Sequence, residues 1–97
     1  MPRILFVEDE EEVVSSLVAF FTREGYDVSH ARGGKAALEL ARRNRFDCAV
    51  LDVMLHEGPE GPGGMDGFEV LKELRAQGYV GPVIMVTART LEQDKLL

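Results

Sequence analysis

The chain has 97 residues, a formal net charge of −6 and a near-average mix of 45% hydrophobic and 29% charged residues, which fits one domain, 1–97, around one modest core. The negative balance argues against nucleic acid and anionic membrane as direct partners of this segment, since both call for a basic face. Its one cysteine, Cys48, allows no internal disulfide, and no apolar run reaches signal-peptide or membrane-spanning length, so the expected compartment is cytoplasmic.

Arg3–Val7 is short, apolar and cut off abruptly by charge, which predicts a strand buried on both faces. Residues 11–24 place Val13, Val14, Leu17, Val18, Phe20 and Phe21 at helical spacing, with Gly25 where a C-terminal cap falls. Residues 26–31 form a weaker, partly polar strand suited to a sheet edge. After Gly33–Gly34, residues 35–44 predict a helix whose last turn carries Arg42 and Arg43, where cations suit the helix dipole. Residues 46–51 read as a third buried strand, in which Cys48 serves as a small hydrophobe.

The segment "HEGPEGPGG", 56–64, holds six Gly or Pro in nine residues and is a loop. Asp66 and Glu69 form a capping-box pattern, and Phe68, Val70, Leu71 and Leu74 give the following helix its apolar stripe. Val83–Val86 is a fourth strand, and Thr90 with Gln93 opens a last helix over 91–97. Alternating buried strands and amphipathic helices specify an α/β fold, a doubly wound parallel sheet with helices on both faces.

In such a sheet, ligands bind beyond the carboxyl ends of the strands. Glu8 and Asp9 follow the first strand, Asp52 ends the third and Thr87 follows the fourth. If the first and third strands are neighbours, the three carboxylates meet and repel unless a hard cation joins them; Mg²⁺ prefers oxygen ligands. Glu10, Glu11 and Glu12 are better read as dipole partners at a helix start and as solvated surface. A plain turn role for Asp52 fits poorly, because the next helix begins fourteen residues later at Asp66. A strand-end carboxylate beside a cation can instead act as a nucleophile toward phosphorus, giving an aspartyl phosphate.

Four stretches, "ILFVEDEEEV", "AVLDVML", "GMDGFEVLKELR" and "PVIMVTAR", in this order and spacing, make the chain resemble a response-regulator receiver domain of two-component signalling. The resemblance implies a flavodoxin-like fold of strand order 2-1-3-4-5, of which this chain carries 2-1-3-4 without the usual fifth strand and helix. It implies Mg²⁺, or Mn²⁺ in its place, held by Glu8, Asp9, Asp52 and the backbone carbonyl of Met54. Asp52 is then the phosphoacceptor from a sensor histidine kinase, and Thr87 contacts the phosphoryl group and switches an output domain or regulatory partner. Such a domain catalyses its own phosphorylation and dephosphorylation without turning over an external substrate. Met54 and Arg89 fall where the family tunes phosphate lifetime, and an apolar Met54 cannot position attacking water, so slow self-dephosphorylation is expected.

Two departures stand out. Without the fifth strand and its lysine, Val83–Val86 is expected to be an open sheet edge suited to a homodimer, formed through that edge or the last helix. Met65 lies 13 positions beyond Asp52, so the intervening loop is long, and His56 stands in it where the family has proline. His56 is expected to be an exposed loop residue, since Mg²⁺ disfavours imidazole, and His30 structural or exposed. The rival to a phosphoacceptor switch is an incomplete receiver that acts as a non-phosphorylated interaction module. A haloacid-dehalogenase-type phosphatase needs a second aspartate where Met54 stands, and a nucleotide-binding flavodoxin relative needs a phosphate loop where five carboxylates lie.

Overall fold

The computed structural model describes residues 1–53 and 65–86. Expectations for Met54, His56, the 56–64 loop, Thr87, Arg89 and the helix at 91–97 lie outside the described residues. The described elements alternate in the expected order: β1 (Arg3–Val7), α1 (Glu11–Arg23), β2 (Asp27–Ala31), α2 (Gly34–Arg43), β3 (Cys48–Asp52), α3 (Gly67–Ala76) and β4 (Val83–Val86). The strands form one parallel sheet in the order β2-β1-β3-β4. β2 therefore lies at an edge, which accounts for its mixed polarity.

Side chains alternate across a strand, so each central strand feeds two cores. Leu5, Val7, Ala49 and Leu51 pack on one face with Ala37, Val70 and Leu74 from α2 and α3. Ile4, Phe6 and Val50 pack on the other with Val13, Val14, Leu17, Val18 and Phe21 of α1. Both faces are covered, so β1 and β3 read as unbroken apolar runs. Leu51 and Leu74 are fully buried, and burial of a leucine side chain stabilises a fold by about 1.5–3 kcal/mol.

Local chemistry fixes the helix ends. Gly25 and Gly78 adopt φ of +94° and +103° just past α1 and α3, a region in which glycine carries no Cβ penalty. Asp66 caps α3: its Oδ1 accepts from the Glu69 N–H at 2.8 Å, and Glu69 Oε1 accepts from the Asp66 N–H at 3.0 Å. The expected capping box is formed in full.

Four details differ from the sequence reading. The third strand begins two residues late and includes Asp52, because the Asp47 carboxylate accepts the Arg3 N–H at 2.8 Å and the strand ladder starts beyond it, at Ile4 and Cys48. Phe68 and Phe20 are 58% and 49% exposed. At about 100° per residue Phe20 lies at the border of its stripe, just beyond Val13, and Phe68 lies about 120–160° around α3 from Leu74 and Val70, so neither is enclosed by the core. Cys48 is half-buried on the α1 side rather than fully enclosed.

Candidate functional site

Parallel pairing puts every strand's carboxyl end along one edge of the sheet. Val7 is in register with Leu51, and Asp52 with Val86. Glu8, one residue past Val7, is thus brought alongside Asp52, and Asp9 follows it. One ligand oxygen from each of Glu8, Asp9 and Asp52 lies within 4.8 Å of the others. Glu8 and Asp52 are each only 1% exposed, and Asp9 is half-buried.

Two like charges this close repel by about 3–4 kcal/mol at an effective dielectric near 20. Burial is the larger force on Glu8. It pushes the carboxyl up to about 8, aided by the negative Asp52 and opposed by the Glu10 N–H, which donates to Glu8 Oε2 at 2.8 Å. Glu8 Oε1, by contrast, is buried without a hydrogen-bond donor among the described residues. A buried carboxylate oxygen with no donor is costly, and a cation is the group that satisfies it without adding to the negative charge. All three side chains offer oxygen and none offers sulfur or imidazole, which is the ligand chemistry of a hard divalent ion such as Mg²⁺. The residues present fit that ion.

The surrounding backbone holds both buried acids in place. The Glu8 N–H donates to the Ala31 carbonyl at 3.0 Å, and Val53 N–H donates to the Val86 carbonyl at 2.9 Å. Gly67 lies directly against Asp52: a Cβ there would run into the Asp52 carbonyl oxygen and lie 2.9 Å from Val53 Cα. Glycine is required at the start of α3 because the helix approaches the end of β3 backbone to backbone. The other acids separate from the cluster as expected. Glu11 and Glu12 are exposed in the first turn of α1, and Glu10 is its N-terminal boundary residue.

Of the expected site residues, Glu8, Asp9 and Asp52 come together, while Met54 and Thr87 lie outside the described residues. Two contributors escaped the sequence reading. Gly67 was part of a motif, but its close approach to Asp52 depends on how α3 docks. His30 is neither exposed nor remote: it is half-buried, and its Nε2 lies 2.8 Å from the Glu8 carbonyl oxygen.

Comparison with known proteins agrees with this geometry. Residues 4–96 match the family model of the response regulator receiver domain. The alkaline phosphatase synthesis transcriptional regulatory protein PhoP of Bacillus subtilis is 43% identical over 95 residues, covering 98% of this chain and 37% of that protein. The sensory transduction protein RegX3 of Mycobacterium tuberculosis is 41% identical over 97 residues, covering the whole chain and 39% of its own length. This chain therefore spans well under half the length of these curated relatives. Among solved structures, the receiver domain of the Francisella response regulator 1452 superposes with a TM-score of 0.78 at 31% identity, covering 99% of this chain and 74% of that one. A chain in the complex of histidine kinase ThkA with response regulator TrrA gives 0.75 at 33% identity, covering 91% and 70%. With the strand order, the acidic strand ends and relatives above 40% identity in agreement, the chain belongs to the response regulator receiver family of two-component signalling.

Proposed function

We propose that this domain is a phosphoacceptor switch with Asp52 as the acceptor. A carboxylate oxygen of Asp52 attacks the phosphorus of a phosphohistidine on a sensor histidine kinase. The P–N bond breaks, the departing imidazole nitrogen keeps the electron pair and takes up a proton, and the new O–P bond makes an acyl phosphate. Glu8, Asp9, Asp52 and the Met54 carbonyl would hold Mg²⁺, with Mn²⁺ able to replace it. Bound there, the ion neutralises charge on the transferred phosphoryl oxygens. Thr87 donates its hydroxyl to one of those oxygens and carries the change to an output domain, a role in keeping with relatives named as transcriptional regulators.

The observation that carries this reading is the buried meeting of the Glu8, Asp9 and Asp52 side chains within 4.8 Å of one another. The kinase complex among the structural relatives supports the choice of phosphodonor. Incubation with Mg²⁺ and acetyl phosphate tests it: the intact protein gains the mass of one phosphoryl group, and the gain disappears with EDTA or in Asp52→Asn. No gain in the full-length protein contradicts the proposal and leaves the non-phosphorylated interaction module. The acyl phosphate is expected to outlast a chase of minutes, and decay within seconds would contradict the role given to Met54.

A further inference from the structure

We propose that His30 is a positioning residue for the acidic cluster, its Nε2–H tying the Glu8 main-chain carbonyl so that the three carboxylates stay in cation-binding register; the inference rests on the cation-site reading above. The parallel ladder between β1 and β2 runs from Arg3 and Asp27 to Val7 and Ala31. Its last rung is the Glu8 N–H donating to the Ala31 carbonyl at 3.0 Å. Beyond that rung the two chains part, β1 toward α1 and β2 toward α2. Among the described residues, no backbone N–H then donates to the Glu8 carbonyl.

The His30 ring fills that position, with Nε2 at 2.8 Å from the Glu8 carbonyl oxygen. A carbonyl only accepts, so Nε2 carries the proton, and the partner fixes the tautomer. Phe6, in register with His30, holds the ring from the side at 6.2 Å between centroids and a tilt of 49°. Glu8 is consequently pinned at three atoms: its nitrogen by Ala31, its carbonyl by His30 and its Oε2 by the Glu10 N–H.

The tie matters because of the charges beyond it. Once Glu8 gives up its proton to bind a cation, repulsion among Glu8, Asp9 and Asp52 pushes the ends of β1 and β3 apart, and any slack at Glu8 is taken up as separation of the carboxylates. A hydrogen bond to the main chain immediately behind the side chain resists that separation without touching the cation.

The test is Mn²⁺ titration by calorimetry, at one pH and one salt concentration, on wild type, H30F and H30Q. Phe keeps a ring against Phe6 and lacks the donor. Gln places an amide N–H the same number of bonds from Cβ as the imidazole Nε2. The expected result is Mn²⁺ affinity about tenfold weaker in H30F, at the low end for residues that orient metal ligands, and largely restored in H30Q. Thermal unfolding in EDTA shows whether the variants are folded, and H30M replaces H30F if the latter is not. Equal affinity in wild type and the donor-less variant overturns the inference, as does H30Q binding as weakly as H30F. No Mn²⁺ binding by wild type contradicts the cation site itself rather than the part His30 plays in it.

Discussion

Glu8 pays for the site in the absence of metal. Its carboxyl is held near 8 by burial, with the Asp52 charge adding to the effect, against about 4.3 for a free glutamate. Between these two values the folded protein binds a proton that the unfolded chain releases. Metal-free stability is therefore full below about pH 4.3, declines as pH rises and has lost this contribution above about pH 8. Urea unfolding midpoints in EDTA between pH 5 and 8.5 should fall in wild type and stay nearly level in Glu8→Gln, and equal slopes would refute the assignment. Mg²⁺ affinity should run the other way, rising toward pH 8 as the proton leaves, because the ion requires the carboxylate. The acids were legible in the sequence because each stands at the end of an apolar run. His30 was not, because its partner is a backbone carbonyl 22 positions away that only the register of β1 on β2 brings near.

At the scale of the element, the start of α3 performs two tasks that mutation can separate. Asp66→Ala removes the cap hydrogen bond to Glu69 and should cost about 1 kcal/mol, leaving Mg²⁺ affinity unchanged, since Asp66 is not part of the acidic cluster. Gly67→Ala forces a methyl against the Asp52 carbonyl. It should cost about 1–3 kcal/mol, typical of an overpacked site, and weaken Mg²⁺ binding as well, because the strand end carrying Asp52 must shift. Chemical denaturation and metal titration on the same two variants separate the effects; the reverse pattern would show that α3 docking does not position Asp52. The capping box was readable from Asp66 and Glu69 alone, a local pattern with a local cause. The late start of β3 was not, because it depends on Arg3 donating its N–H to Asp47 from the neighbouring strand. Phe68 misled for a related reason: one apolar residue near a stripe says little until Val70 and Leu74 fix which way the helix faces.

Among the described residues, two clusters of like charge stand at opposite ends of the strands. Glu8 to Glu12 and Asp52 gather at the carboxyl ends of the strands, while Arg42, Arg43 and Arg45 border a cleft with Phe46, Tyr79 and Gly81 at the amino ends. The parallel sheet brings the acids together, since it aligns the strand ends and puts the turns after β1 and β3 at one edge. The fold class was legible because alternating apolar runs and amphipathic helices leave few topologies, whereas the strand order was implied only by the resemblance to receiver domains. The acidic end should attract divalent cations over distance, so Mg²⁺ affinity should fall as KCl is raised through the range in which the Debye length shrinks to about 10 Å. The exposed Glu10, Glu11 and Glu12 should account for most of that salt dependence, and their triple replacement by Gln should flatten it without abolishing binding. The proposed switch depends on Glu8, Asp9 and Asp52 jointly holding one divalent ion. Crystals grown with Mn²⁺ and measured for anomalous scattering test it most directly. A single strong peak in direct contact with oxygens from all three side chains is the predicted result. An Asp52 carboxyl turned away from Glu8 and Asp9, with no peak touching all three, would contradict it.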